Sequence, residues 1–342
     1  MQLRPLVLLA ALAGTAAVAL SASAAAQGDL VVYCGVQEEW CRAITTAFEK
    51  ETGIKVAMTR KSAGEVYAQV RAEASNPKGD IWWGGTGDPH LQAVEEGLAQ
   101  PYTSPNMGQQ HEWATRLWDT TKGQTIGIYS GALGFGFNTK TLAQKKLPEP
   151  KCWADLIDPK YKDEVQVADP NSSGTAYNLI ATVMQVMGEE KGWDYMKALH
   201  KNINQYTKSG AAPANAVSLG ESAIGITFMH DMIAQKNPDV KTIAPCEGTG
   251  YEIGSMTILK GARNLDNAKK FYDFALLVPA QSLAAENKQL QIQSNKATPL
   301  PPNAPKLTEI KLITYDFAKY GSSAERKRLL TKWSTEVKPL AK

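Results

Sequence analysis

Short apolar runs alternate with longer amphipathic stretches along most of the chain. Leu30–Cys34 reads as a strand and Glu38–Thr52 as a helix that Gly53 stops. Ile54–Thr59 reads as a second strand, followed by a helix over Glu65–Ala74, the strand-like Ile81–Trp83 and a helix over His90–Glu96 that Gly97 ends. Further on, Val165–Ala168, Ala223–Phe228 and Tyr251–Leu259 are extended apolar runs, and Ala176–Met187 is an apolar helix. A Pro-rich loop, Thr298–Pro305, precedes two terminal helices around Ile310–Tyr320 and Ala324–Val337. Short strands joined by helices predict an α/β fold of mostly parallel sheets with helices on both faces, whose ligand clefts lie at the carboxyl ends of the strands.

Three strand-to-helix junctions at that edge share one chemistry. Asp169–Tyr177 (DPNSSGTAY) places Pro170 and Gly174 where regular structure breaks, with Ser172, Ser173 and Thr175 as N-cap types before an apolar helix. Ser62-Ala63-Gly64 and Thr86-Gly87-Asp88-Pro89 repeat the pattern. Unpaired amide hydrogens, hydroxyls and the positive end of a helix dipole suit an anion. One such junction is an ordinary cap, whereas three converging predict a binding cleft. Thr125–Asn138 is apolar yet carries Gly127, Gly131, Gly134 and Gly136, which predicts close backbone approach or a hinge rather than a rigid core strand.

Residues 1–26 read as a signal peptide: Arg4 is the only charge, Leu6–Leu20 is apolar, and Ala24-Ala25-Ala26 fits a cleavage site near Ala26. Export to the periplasm follows, without a lipid-attachment cysteine after the apolar run. The formal net charge of +3 is close to balance and argues against nucleic acid as a partner. Cys34, Cys41, Cys152 and Cys246 make an even count, which in an oxidising compartment predicts two disulfides. Cys34 and Cys41 can close locally, leaving Cys152–Cys246 as a long-range staple; the rival, a metal site, lacks any CxxC and has only scattered histidines. No cofactor or bound metal is expected.

The order of VVYC (31–34), EKETGIKV (49–56), DIWWGG (80–85), DPKYK (158–162), DPNSSGTAY (169–177) and GSMTILKGARN (254–264) resembles the ferric-type periplasmic solute-binding proteins of ABC importers, over essentially the whole exported chain. GGTGDP (84–89), GFGFNT (134–139), KCWADLIDP (151–159), NQYTKSG (204–210), His230-Asp231, PCEGTGYE (245–252) and YDFAKYG (315–321) resemble its hexose-phosphate-binding branch. The resemblance implies a type II fold of two α/β lobes joined by crossing strands, lobe one spanning 28–132 plus 256–342 and lobe two 133–255. It further implies a monomer that delivers a small phosphorylated ligand to an inner-membrane ABC permease and its ATPase.

A phosphate monoester needs several donors in a place with little competing water. Ser62, Gly64, Thr86, Ser172, Ser173, Gly174 and Thr175 supply hydroxyls and approachable amides, with Lys61 as a further positive charge. His230, Asp231 and Glu252 match the positions that bind the sugar in the resembled branch. Trp82 and Trp83 offer stacking surfaces but read better as core, Tyr206 and Ser209 are further cleft candidates, and Asp88 reads as structural or hydroxyl-binding. Two rival ligands are a small organophosphonate and ferric iron, the latter requiring Tyr33, Tyr177 and Tyr251 to converge with His230. Catalysis is not expected: Gly220–Gly225 lacks nucleophile-elbow spacing, His111-Glu112 lacks a second histidine, and Gly248–Gly254 has one residue too many for a dinucleotide loop.

Overall fold

The structure is a computed structural model and describes residues 29–342; the signal-peptide segment 1–26 lies outside the described residues. Eleven strands are present among them: β1 Leu30–Cys34, β2 Val56–Arg60, β3 Ile81–Thr86, β4 Ala99–Gln100, β5 Ile126–Asn138, β6 Val165–Ala168, β7 Ile203–Thr207, β8 Ile224–Phe228, β9 Val240–Ile243, β10 Tyr251–Leu259 and β11 Ile292–Gln293. They run in the order β2-β1-β3-β10-β5-β8-β6-β7, with β4 on β10 and both β9 and β11 on β5. Parallel pairs β1–β2 and β1–β3 build one side, and parallel pairs β6–β7 and β6–β8 build the other. Antiparallel β10 and β5 join them.

β5 is the connection. Over Ile126–Ala132 it pairs with β10, and over Leu133–Phe137 with β8. At about 3.3 Å per residue this strand is long enough to leave one sheet and enter the next. The sequence predicts close backbone approach or a hinge here; all thirteen residues are buried and strand-like, and close approach is what is found. The glycines are explained by crowding: a Cβ on Gly131 would come within 2.4 Å of the His230 ring.

Two cores flank this crossing. On one side Phe48 of the helix Glu38–Thr52 packs edge-on against Phe271 and Phe274 of the helix Leu265–Ala275. Trp83 meets Trp40 at 5.0 Å and Trp82 stacks on His90 at 3.6 Å, so both tryptophans of β3 are core residues. On the other side Trp153, Tyr177, Ile180 and Trp193 share a core with Phe135 and Phe137 of β5.

That second core also takes Tyr315, Tyr320, Leu329, Trp333 and Val337. The tail, grouped with lobe one in the sequence reading, is therefore packed against the other half. The expected helix over Ile310–Tyr320 is also shorter, covering only Phe317–Tyr320. Residues before it stay extended because Thr249 accepts from the Ile313 amide at 2.9 Å and donates to the Lys311 carbonyl at 2.9 Å. Both disulfides predicted from the cysteine spacing are formed, Cys34–Cys41 and Cys152–Cys246.

Candidate functional site

Three helices begin at one place. Ala63–Ala72 follows β2, Gly87–Glu95 follows β3 and Gly174–Met187 follows β6, each directly after the carboxyl end of its strand. Their starts meet at a solvent-open cleft of about 430 Å³. Ser62, Thr86, Ser173, Gly174, Thr175, His230, Asp231 and Glu252 all line it. Gly64 and Ser172 do not. The Gly64 amide is spent on the Ser172 carbonyl at 3.1 Å, and the Ser172 hydroxyl sits between the carbonyls of Asp169 and Lys208. These two residues join the halves instead of facing the cleft.

The halves meet at several such points. The Ser62 hydroxyl donates to the Lys208 carbonyl at 3.1 Å, and the Gln37 amide donates to Asp231. A Cβ on Gly174 would lie 1.9 Å from the Thr86 hydroxyl oxygen, so only glycine permits this approach. The two halves are thus in direct contact beside the cleft.

At one end of the cleft are Ser62, Thr86, Ser173, Thr175 and Ser209 with the first turns of the three helices. Ser173 caps its helix by accepting from the Ala176 amide, while the buried Thr86 Oγ1 has no partner in the protein. The positive charge among the lining residues is Arg60, which sequence reading missed. Its Nε donates to the Val36 carbonyl at 2.7 Å, and Nη2 reaches Ser209 Oγ at 3.5 Å. Lys61, expected to supply that charge, turns away and donates to Gln69. Strand alternation is the signal that separates the two, since neighbours on a strand point to opposite faces.

At the other end, His230 Nε2 lies 3.8 Å from Asp231 and 3.7 Å from Glu252, and its ring stacks beside Phe228. Burial pulls the imidazole pKa down to about 3, so it is neutral at physiological pH, and its Nδ1 has no partner in the protein. Burial pushes the Asp231 carboxyl up to about 7, partly offset by hydrogen bonds from Thr227 and Gln37 and by the charge of Arg60. Glu252 is raised well above the usual carboxylate range, first by burial and then by the charges of Asp231 and Asp88. This end offers hydrogen-bond acceptors in a place from which water is largely excluded.

Sequence reading also missed Gly35, Gln37, Tyr129 and Gln291 as lining residues. Ser209 is brought in, but Tyr206 is held away by His200 at 2.8 Å. Asp88 is buried outside the cleft lining, close to Arg326. The tyrosines proposed for iron do not converge: Tyr33 donates to Glu73, Tyr177 to the Tyr320 carbonyl, and Tyr251 packs on Phe317. Among the described residues the grouped potential metal ligands are Cys152, Cys246 and Glu247, whose sulfurs are bonded to each other.

Residues 76–320 match the family of bacterial extracellular solute-binding proteins, and the chain belongs to it. It is a ferric-type periplasmic solute-binding protein of an ABC importer. A protein of Haemophilus influenzae described as uncharacterized is 47% identical over 328 residues, 94% of each chain. The periplasmic binding protein AfuA from Actinobacillus pleuropneumoniae, solved with exogenous fructose-6-phosphate bound, superposes with a TM-score of 0.87 at 46% identity, covering 91% of this chain and 99% of that one. Iron-bound HitA from Pseudomonas aeruginosa shares the fold, with a TM-score of 0.73 at 20% identity over 89% of this chain and 98% of its own. Among the described residues no helix is long and apolar enough to cross a membrane.

Proposed function

We propose that this protein captures a hexose phosphate, such as glucose 6-phosphate, by hinged closure of two lobes and presents it to an inner-membrane ABC permease driven by its ATPase. In this reading lobe one covers roughly 28–132 and the chain after 256 up to the tail. Lobe two covers 133–255 and carries the terminal helices. The observation that carries the proposal is one cleft lining that combines Arg60, hydroxyls and helix starts with the buried group His230, Asp231 and Glu252. A phosphoryl group wants charge-assisted donors, and ring hydroxyls want acceptors.

Phosphate at the helix starts bridges Ser62 and Thr86 of lobe one with Ser173 and Thr175 of lobe two. Only the closed arrangement lets all of them reach the ligand, so binding shifts the population toward closure. Burial raises both Asp231 and Glu252, and hydroxyl donors from the ligand favour their charged forms. The likeness to AfuA, whose structure holds fructose-6-phosphate, supports the substrate class. Ferric iron is disfavoured by the outward engagement of Tyr33, Tyr177 and Tyr251. A small organophosphonate would satisfy the phosphate end but leave the acceptor-rich end without a polyol.

A thermal-unfolding screen tests this. Ligand at a hundredfold excess over its Kd stabilises by about 2.7 kcal/mol, a readable rise in midpoint. Hexose phosphates should produce it, while ferric citrate and 2-aminoethylphosphonate should not. A rise with ferric salt accompanied by a visible absorption band would sink the assignment.

A further inference from the structure

Gln291 combines burial, an unpaired polar atom and a position inside the cleft. Its side chain is 2% exposed, it lines the cleft, and its Oε1 has no hydrogen-bond partner within the protein. Only its backbone carbonyl is engaged, by Gln293 Nε2 at 3.2 Å. Buried amide oxygens are rarely left in this condition unless something else supplies the donor.

The strand register explains where the side chain stands. β11 pairs antiparallel with β5 through Ile292 with Ser130 and Gln293 with Tyr129, which carries Gln291 to the position beside Gly131. On the other side of β5, Gly131 is paired with Glu252 of β10. Gln291, Gly131 and Glu252 thus form a row across three strands, and cross-strand neighbours project to the same face. The middle of the row has no side chain, and the His230 imidazole occupies that space, with Nδ1 within 2.4 Å of where a Cβ on Gly131 would be. His230 Nδ1 and Gln291 Oε1, the two unpaired atoms, belong to the same end of the cleft.

We infer that Gln291 is a ligand-contacting, specificity-determining residue that receives a hydroxyl of the bound sugar between its amide and the His230 ring, an inference that rests on the sugar-phosphate reading of the cleft. The reasoning is a count of donors and acceptors. Asp231 and Glu252 offer carboxyl oxygens that accept, and one O–H donor each when protonated, while a neutral imidazole accepts at one nitrogen and donates at the other. Gln291 adds one acceptor and the only carboxamide donors at this end not already committed to another protein group, since the Gln37 amide is held by Asp231. A hydroxyl is the group that uses both functions, donating to Oε1 while accepting from Nε2 or from the ring. Vicinal hydroxyls of a hexose fit such an end; an alkyl phosphate or a free phosphate ion does not reach or satisfy it. A site built around a hydroxyl discriminates strongly against analogues that lack one, because its buried groups are then unpaired.

Titration calorimetry on the exported chain with Gln291→Met and Gln291→Asn tests the inference, using glucose 6-phosphate and inorganic phosphate as ligands. Both substitutions should weaken glucose 6-phosphate tenfold or more, with inorganic phosphate and the ligand-free unfolding midpoint little changed. Wild-type affinity for the sugar phosphate in either folded variant overturns the inference alone. Wild-type protein that ignores every hexose phosphate overturns the underlying reading and the inference with it. Crystals of the unaltered protein grown with glucose 6-phosphate give a second readout: the Gln291 amide should lie within about 3.2 Å of a ligand hydroxyl, and an amide turned away from the sugar overturns the proposal.

Discussion

Gly174 and Thr86 come so close across the cleft that one added methyl cannot be fitted between them. Gly174→Ala would put a Cβ 1.9 Å from Thr86 Oγ1, so the halves could no longer meet as they do here. Calorimetry should show sugar-phosphate affinity reduced at least tenfold, with the ligand-free unfolding midpoint nearly unchanged because neither core is touched. Titration of Asp231 gives a second test. Its carboxyl moves from an ordinary value of 3.8 to about 7 on burial, so the fold favours the neutral form. That contribution is complete below about pH 4 and is lost as pH rises to about 7. His230 works in the other direction: lowered from 6.5 to about 3, it supports the fold above pH 6.5 and ceases to as pH falls. Asp231→Asn should therefore gain on wild type in unfolding midpoint at pH 8 relative to pH 4; an equal difference at both pH values would contradict the burial argument. Ser62, Thr86, Ser173 and Thr175 were legible in the sequence because a hydroxyl after a strand and before a helix has a defined place. Arg60 was not, because it and Lys61 are adjacent and only the strand register decides which faces inward.

At the scale of elements, the loop between β1 and the helix Glu38–Thr52 is stapled at both ends by Cys34–Cys41. Within it Gly35, Val36 and Gln37 line the cleft; Val36 holds the Arg60 guanidinium and Gln37 reaches Asp231. The second disulfide, Cys152–Cys246, spans a sequence separation of 94 and joins segments remote from the ligand cleft. The two bridges should therefore separate binding from stability. Replacing Cys34 and Cys41 by alanine is expected to weaken ligand binding severalfold. Replacing Cys152 and Cys246 should cost about 2–5 kcal/mol in denaturant unfolding while leaving affinity within about twofold. The reverse pattern would show that the short bridge is merely structural. Most elements were readable from apolar runs and stop signals, including both bridges. β11 was not, since a strand of two residues has no alternation to detect, and Gln291 just before it stayed hidden for the same reason.

Across the whole molecule the two halves touch through Ser62–Lys208, Gly64–Ser172 and Gln37–Asp231 while β5 runs through the junction. The α/β class was legible from the alternating strands and helices and from the family resemblance. The tail's packing was not, because nothing local marks which of two distant cores Leu329 and Trp333 will join. Two-ended recognition is the central claim, and it makes affinity depend on both halves of the ligand at once. Calorimetric titration of the exported chain with glucose 6-phosphate, glucose and inorganic phosphate separates those halves. Dissociation of the ester is expected in the micromolar range, about −8 kcal/mol, with binding weaker by a hundredfold or more for either fragment. Glucose or phosphate binding as tightly as the ester, or an ester that gives no heat, would contradict it.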